Sequence, residues 1–130
     1  MKFRTKTLSG SFLAGAAAVL LAGSPASAGT DVYVDTSDPW NSAAAGFAAE
    51  GEIFTVCDNR ADGKRASGRI IWVGSDASYN IPLEDTNGSG NSCARKDLSI
   101  AEGIKVTVEI CVRDGANGDR DYCASKHGKS

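Results

Sequence analysis

Between Gly103 and Arg113 the chain reads GIKVTVEICVR. Ile104, Val106, Val108, Ile110 and Val112 fall on one parity, and Lys105, Thr107, Glu109, Cys111 and Arg113 on the other. A strand sends successive side chains to opposite faces, whereas a helix would scatter these same residues round its circumference. The stretch therefore predicts a half-buried β-strand. Such a strand buries nothing alone. Its apolar face needs other apolar strands to cover it, and that need constrains everything around it.

The start of the chain reads differently. Lys2, Arg4 and Lys6 precede an apolar run from Phe12 to Leu21, which Gly23, Pro25 and Ala26-Ser27-Ala28 bring to an end. Basic, apolar and small-x-small segments in that order make a secretory signal, with cleavage expected after Ala28. The run is shorter than the roughly 20 apolar residues of a spanning helix, so no stable membrane insertion is expected after cleavage. The protein is expected to be secreted and extracellular, with residues 1–28 as signal and 29–130 as a single β-sandwich domain. A domain of this size holds a thin core and needs staples. It carries 11 basic and 16 acidic side chains, a net charge of −5 with neutral histidine. That balance repels nucleic acid, and no basic cluster stands out along the sequence.

Staples are available. Cys57, Cys93, Cys111 and Cys123 lie at spacings of 36, 18 and 12. An even number in an exported chain reads as two disulfides, and the spacings lack the close pairs that zinc favours. Three pairings are open. A turn through Asp114 to Asp121 would carry Cys123 back to Cys111, within disulfide reach. That geometry favours Cys111 with Cys123, leaving Cys57 with Cys93. Cys111 has the polar parity of its strand, which puts its bond outside the central core.

The rest of the chain supplies further short strands. Asp31 to Asp35 reads as a first strand near an edge. Asn41 to Glu50, rich in alanine, reads as a loop with partial helix anchored by Phe47. Gly51 to Cys57 and Arg65 to Val73 read as strands joined in a hairpin round Asp62-Gly63. Trp72 takes the core parity beside Ile70. Ser78 to Leu83 alternates, and Pro82 places it at a sheet edge. Cys93 to Ile100 and Tyr122 to Ser125 make two brief strands, and His127 to Ser130 reads as a fraying tail. The expectation is an all-β chain: a small disulfide-stapled β-sandwich, immunoglobulin-like or similar, of six to seven short antiparallel strands.

Chemistry is sparse. His127 is the one histidine, and a frayed tail cannot hold a general base in place. No nucleophile elbow, zinc helix or phosphate loop is present. A carboxylate pair for sugar hydrolysis would have to come from Glu50, Glu52, Glu84, Glu102 and Glu109, with Glu109 on the most regular strand. Calcium wants several oxygen ligands. Asp114, Asn117, Asp119 and Asp121 gather four of them in eight residues, and Asp58 to Gly63 offers a second set, although Asp, Asn and Gly are also ordinary turn formers. No cofactor is expected beyond that calcium possibility. For recognition, Trp40 beside Pro39 either caps the core or sits on the surface, with Tyr33 as its possible neighbour.

The segment from Gly51 through Cys57 and Asp62-Gly63 to Arg69, then Glu102-Gly103, the strand to Cys111, and Cys123, resembles small secreted β-sandwich proteins of Streptomyces-type actinobacteria. So does the signal rich in alanine and glycine. The resemblance implies the fold and export, and no activity. The secreted subtilisin-inhibitor family of the same organisms has a similar size and cysteine count, but the cysteine spacing differs and no cysteine-flanked reactive loop is found. The expected function is thus a secreted, non-catalytic, monomeric domain that binds an extracellular protein or glycan. One alternative is a protease inhibitor using Asp85 to Cys93 or Asp114 to Cys123. The other is a small carboxylate hydrolase acting on carbohydrate.

Overall fold

The computed structural model describes residues 29–130; the segment read as a signal lies outside them. Eight strands follow one another with no helix among the described residues: β1 Val32–Asp35, β2 Ala43–Ala48, β3 Ile53–Asp58, β4 Arg65–Val73, β5 Ser78–Asp85, β6 Ala94–Asp97, β7 Lys105–Arg113 and β8 Arg120–Lys129. They form two antiparallel sheets, ordered β1-β2-β3-β6 and β5-β4-β7-β8. This is a disulfide-stapled β-sandwich with eight strands in place of six or seven.

The alternating stretch is β7, and its inward Val106, Val108, Ile110 and Val112 are all buried. Ala66, Ile70 and Trp72 join them from β4. Val32, Val34, Ala43, Ala45, Phe47, Phe54 and Val56 come from the facing sheet. Trp72 also stacks on Tyr79, with ring centroids 4.7 Å apart and an interplanar angle of 11°.

The extra strand is β2. Its alanines favour helix in isolation, yet β1 and β3 pair with it on both sides, and cross-strand pairing overrides intrinsic preference. Phe47 lies opposite Phe54, and Ala43, Ala45 and Phe47 point inward at period two. The small residues have a use on the other parity: Gly46 and Ala48 face outward and leave that surface low along its middle, while Ala44 on the same parity is covered.

The hairpin expected between β3 and β4 does not form. β3 pairs with β2 and β6, β4 pairs with β5 and β7, and the connection through Asp62-Gly63 crosses between the sheets. The two strands meet face to face across the core. A Cβ placed on Gly68 of β4 would come 2.5 Å from Val56 Cγ2 and 3.3 Å from Phe54 Cζ. Glycine stands there because side chains of β3 fill the space.

β8 is also longer than expected. His127 lies within it, opposite Thr107, and is not part of a frayed tail. Ser130 is buried: its amide donates to Ile104 O (2.9 Å), its hydroxyl to Ala101 O (2.6 Å), and its carbonyl accepts from Gly103 N (2.8 Å). Thr30 and Lys129 exchange two backbone hydrogen bonds of 2.8 and 3.1 Å, and Ser37 N donates to Tyr122 O, so β1 and β8 close one side of the sandwich. Between Ile110 and Val112 the register slips, so that Tyr122 and Cys123 both face Cys111. Tyr122 takes a φ of 52°, the left-handed conformation that such bulges use.

Both disulfides follow the favoured pairing. Cys57–Cys93 has its Cα atoms 4.5 Å apart and Cys111–Cys123 4.2 Å. Each lies within one sheet. Neither crosses the core as the conserved bond of antibody domains does.

Candidate functional site

Two surfaces present organised side chains, one on the outside of each sheet. On β1-β2-β3-β6 the register sets Tyr33, Gly46, Thr55 and Arg95 in one row across all four strands. Gly46 supplies no side chain, so the row dips at its centre into an open groove of about 520 Å³. Tyr33 is 59% exposed. Its hydroxyl donates to Asp35 Oδ1 at 3.0 Å, which fixes the ring while leaving its face open. Partial desolvation, then the Asp35 hydrogen bond and charge, push the phenol above its ordinary pKa, so it stays a donor. Asp31, Glu50 and Ile53 complete the rim.

Trp40 is 63% exposed, in the connection between β1 and β2. It is not part of the Tyr33 groove. Its ring lies beneath the Arg60 guanidinium, 4.0 Å from the carbon to the ring centroid, a cation–π contact between two loops. The Trp40 turn is built on Asp38, a buried carboxylate that accepts hydrogen bonds from Thr36 Oγ1, Ser42 Oγ (2.6 Å), Ser42 N and Trp40 N. Burial pushes this carboxyl up, and the bonds from Ser42, Thr36 and Trp40 outweigh it, holding the pKa at about 2.

The second surface is the outside of β5-β4-β7-β8, and its basic cluster was not legible along the sequence. Arg65, Arg113 and Arg120 share one row across β4, β7 and β8, and Arg69 lies opposite Glu109. Two carboxylates bridge the four guanidiniums. Glu84 accepts from Arg65 Nη1 and Arg113 Nη1, each at 3.0 Å. Glu109 accepts from Arg69 Nη2 (3.1 Å) and Arg120 Nη1 (2.6 Å). Arg120 also donates to the Ser67 hydroxyl (3.2 Å) and carbonyl (3.0 Å). Burial raises both glutamates, but the arginine hydrogen bonds and charges win and leave them below the ordinary glutamate range. The signal for this cluster was the parity of Arg65, Arg69, Glu109 and Arg113, all outward on adjacent strands.

The acids named for hydrolysis each have their own surroundings. Glu84 and Glu109 are each held between two arginines with lowered pKa values, whereas a general acid must keep its proton near neutral pH. Glu52 accepts from Ile100 N at 3.0 Å, Glu50 sits on the Tyr33 rim, and Glu102 is exposed in the turn before β7. His127 is exposed, its Nδ1 3.0 Å from Thr107 Oγ1.

Asp114, Asn117, Asp119 and Asp121 are all exposed, and Asp121 belongs to β8. Among the described residues, the one group of three acidic, histidine or cysteine side chains with ligand atoms within 4.8 Å of each other is Glu109, Cys111 and Cys123. Its sulfurs are bonded to one another and offer no thiolate. In the other loop, Asp58 N donates to Asp85 Oδ2 (2.9 Å) and Arg60 N to Asp58 Oδ1 (3.1 Å). Burial, with the charges of Asp62 and Asp85, raises the Asp58 carboxyl against the Arg60 amide bond. These carboxylates cap the backbone where the chain crosses between sheets.

No protein-family model, no curated protein and no solved structure matches the chain. No helix among the described residues is long and apolar enough to cross a membrane.

Proposed function

We propose that this chain is an exported, non-catalytic binding domain that takes a saccharide in the groove on the β1-β2-β3-β6 sheet. The row Tyr33–Gly46–Thr55–Arg95 carries this reading. Sugar rings have an apolar C–H face that stacks on an aromatic ring and hydroxyl edges that pair with planar polar groups. Tyr33 supplies the ring, Gly46 the room beside it, and Asp31, Thr55 and Arg95 the donors and acceptors on either side. The groove lies on regular strands, which hold such groups more firmly than loops do. Two formed disulfides, with no free cysteine among the described residues, support an oxidising, extracytoplasmic setting. The arginine-locked glutamates support a binding role over a hydrolytic one.

The test is a glycan array followed by titration of the best ligand. Tyr33→Ala should weaken binding at least tenfold and Tyr33→Phe should retain it. Gly46→Val should block the groove without loss of fold, because a Cβ there meets Val32 O at 3.4 Å and Tyr33 Cδ2 at 3.8 Å, both acceptable contacts. Binding that survives both Tyr33→Ala and Gly46→Val, or an array with no bound glycan, would refute the proposal.

A further inference from the structure

We infer that the outer face of β5-β4-β7-β8 holds a second site, for a ligand bearing a tetrahedral oxyanion such as a sulfate or phosphate ester. Four arginines and two glutamates there leave an excess of two positive charges, on a domain whose net charge is −5. The glutamates are already spent as bridges, each between two guanidiniums. Two guanidinium nitrogens lining the groove have no acceptor among the described residues. Arg69 donates through Nη2 to Glu109 Oε2 (3.1 Å), and its buried Nε pairs with Glu109 Oε1 at 2.9 Å, which leaves Nη1. Arg113 donates through Nε to Gly118 O (2.9 Å) and through Nη1 to Glu84, which leaves Nη2. Arg69, Arg113 and Arg120 line a shared groove of about 340 Å³ with Ser67, Asn80 and Glu84.

The shape of the anion follows from this arrangement. A carboxylate bridges two guanidiniums, and the two glutamates occupy both such positions. What remains is Nη1 of Arg69 and Nη2 of Arg113, and a tetrahedral group has enough oxygens to meet both and still accept from water. The arginines stand on adjacent strands. Their ion pairs and the Cys111–Cys123 bond beside them fix the side chains before a ligand arrives, which removes much of the ordering cost of binding. This site is on the opposite face from the Tyr33 groove, so the two readings stand or fall separately.

The experiment is a nuclear magnetic resonance titration of ¹⁵N-labelled protein with sodium sulfate, sodium phosphate and sodium chloride at matched ionic strength. Sulfate or phosphate should give saturable shifts at Ser67, Arg69, Arg113 and Arg120, including the arginine Nε–H signals, and chloride should not. A hexose sulfate and a hexose phosphate then separate the two ligand sources by which binds more tightly. Arg69→Gln should weaken binding at least fivefold, and Glu84→Gln, which removes a competing charge, should tighten it at least threefold. A merely structural ion-pair network would not give that gain. Non-saturable shifts, shifts spread over the surface, or equal affinity in wild type, Arg69→Gln and Glu84→Gln would overturn the proposal. If either variant fails to fold, the wild-type titration alone decides.

Discussion

Gly68 offers the sharpest test of how the two sheets meet. A methyl group at this position would sit 2.5 Å from Val56 Cγ2, against about 3.5–4.0 Å for two carbons at ease. The overlap of about 1–1.5 Å cannot be relieved by Val56 alone, because Phe54 Cζ closes the neighbouring side at 3.3 Å. The sheets must separate or side chains must leave their rotamers. Overpacking of this kind costs about 1–3 kcal/mol. At about 4–8 °C per kcal/mol for a domain near 100 residues, Gly68→Ala should lower the melting temperature by about 5–20 °C.

The second half of the experiment tests the cause. Val56→Ala removes the obstructing carbon and, alone, should cost about 2 kcal/mol through lost burial and a cavity. Combined with Gly68→Ala, the new methyl occupies part of that cavity. The double variant should be more stable than the sum of the two single losses by about 1 kcal/mol or more, measured by urea unfolding. If the losses add within about 0.5 kcal/mol, Gly68 does not face Val56. Adjacent strands in a hairpin, the arrangement the sequence suggests, would give that additive result.

Asp38→Ala should cost about 2–3 kcal/mol, because it strips a buried carboxylate that organises four donors round the Trp40 turn. The Asp38 pKa is lowered from 3.8 to about 2, so its stabilisation is complete above about pH 4 and disappears as pH falls towards 2. Urea midpoints measured from pH 2 to 5 should converge for wild type and variant at the acid end, and a constant gap would contradict this. Replacing Cys57 and Cys93 by serine opens a sequence separation of 36 and should cost about 4 kcal/mol, against about 3 kcal/mol for Cys111 and Cys123 at 12; the reverse order in thermal unfolding would mean that native strain outweighs chain entropy. Millimolar calcium should raise the melting temperature by less than 1–2 °C, since Asp114, Asp119 and Asp121 do not converge; a larger, saturable rise would show that the loop closes on the ion.

Much of the fold was legible because alternation is a local property. The strands at Val32, Ile53, Arg65, Ser78 and Lys105 each announced themselves by period two, and Pro82 correctly assigned its strand to an edge. Alternation does not name a partner. Ile53–Asp58 and Arg65–Val73 are consecutive strands separated by a turn sequence, and a hairpin is the shortest way to join them. They face each other across the core because Gly68 leaves a place for Val56, a fact written in one residue. Ala43–Ala48 was obscured for a related reason: alanine carries almost no β signal of its own, and its strand exists through the neighbours on both sides. The disulfides were readable because one short loop brought two cysteines close and left the others no choice.

The two surfaces were hidden for a deeper reason. Tyr33, Gly46, Thr55 and Arg95 form a row only at one register of three strand pairs, and a slip of one residue in any pair would turn part of that row into the core. Arg65, Arg113 and Arg120 likewise come from three strands, two of them separated by 48 positions along the chain. Run along the sequence, each arginine sits among acids and turn residues and looks like ordinary solvated charge. Brought into register they repel, and Glu84 and Glu109 hold them together at the expense of half their charge. The remaining half is held on paired strands, with Arg69 and Arg113 flanked by a partner strand on both sides. It follows that Glu84→Gln should behave unlike a typical broken ion pair: slightly less stable, because Arg65 and Arg113 then face each other unscreened, and a better binder of oxyanions for the same reason.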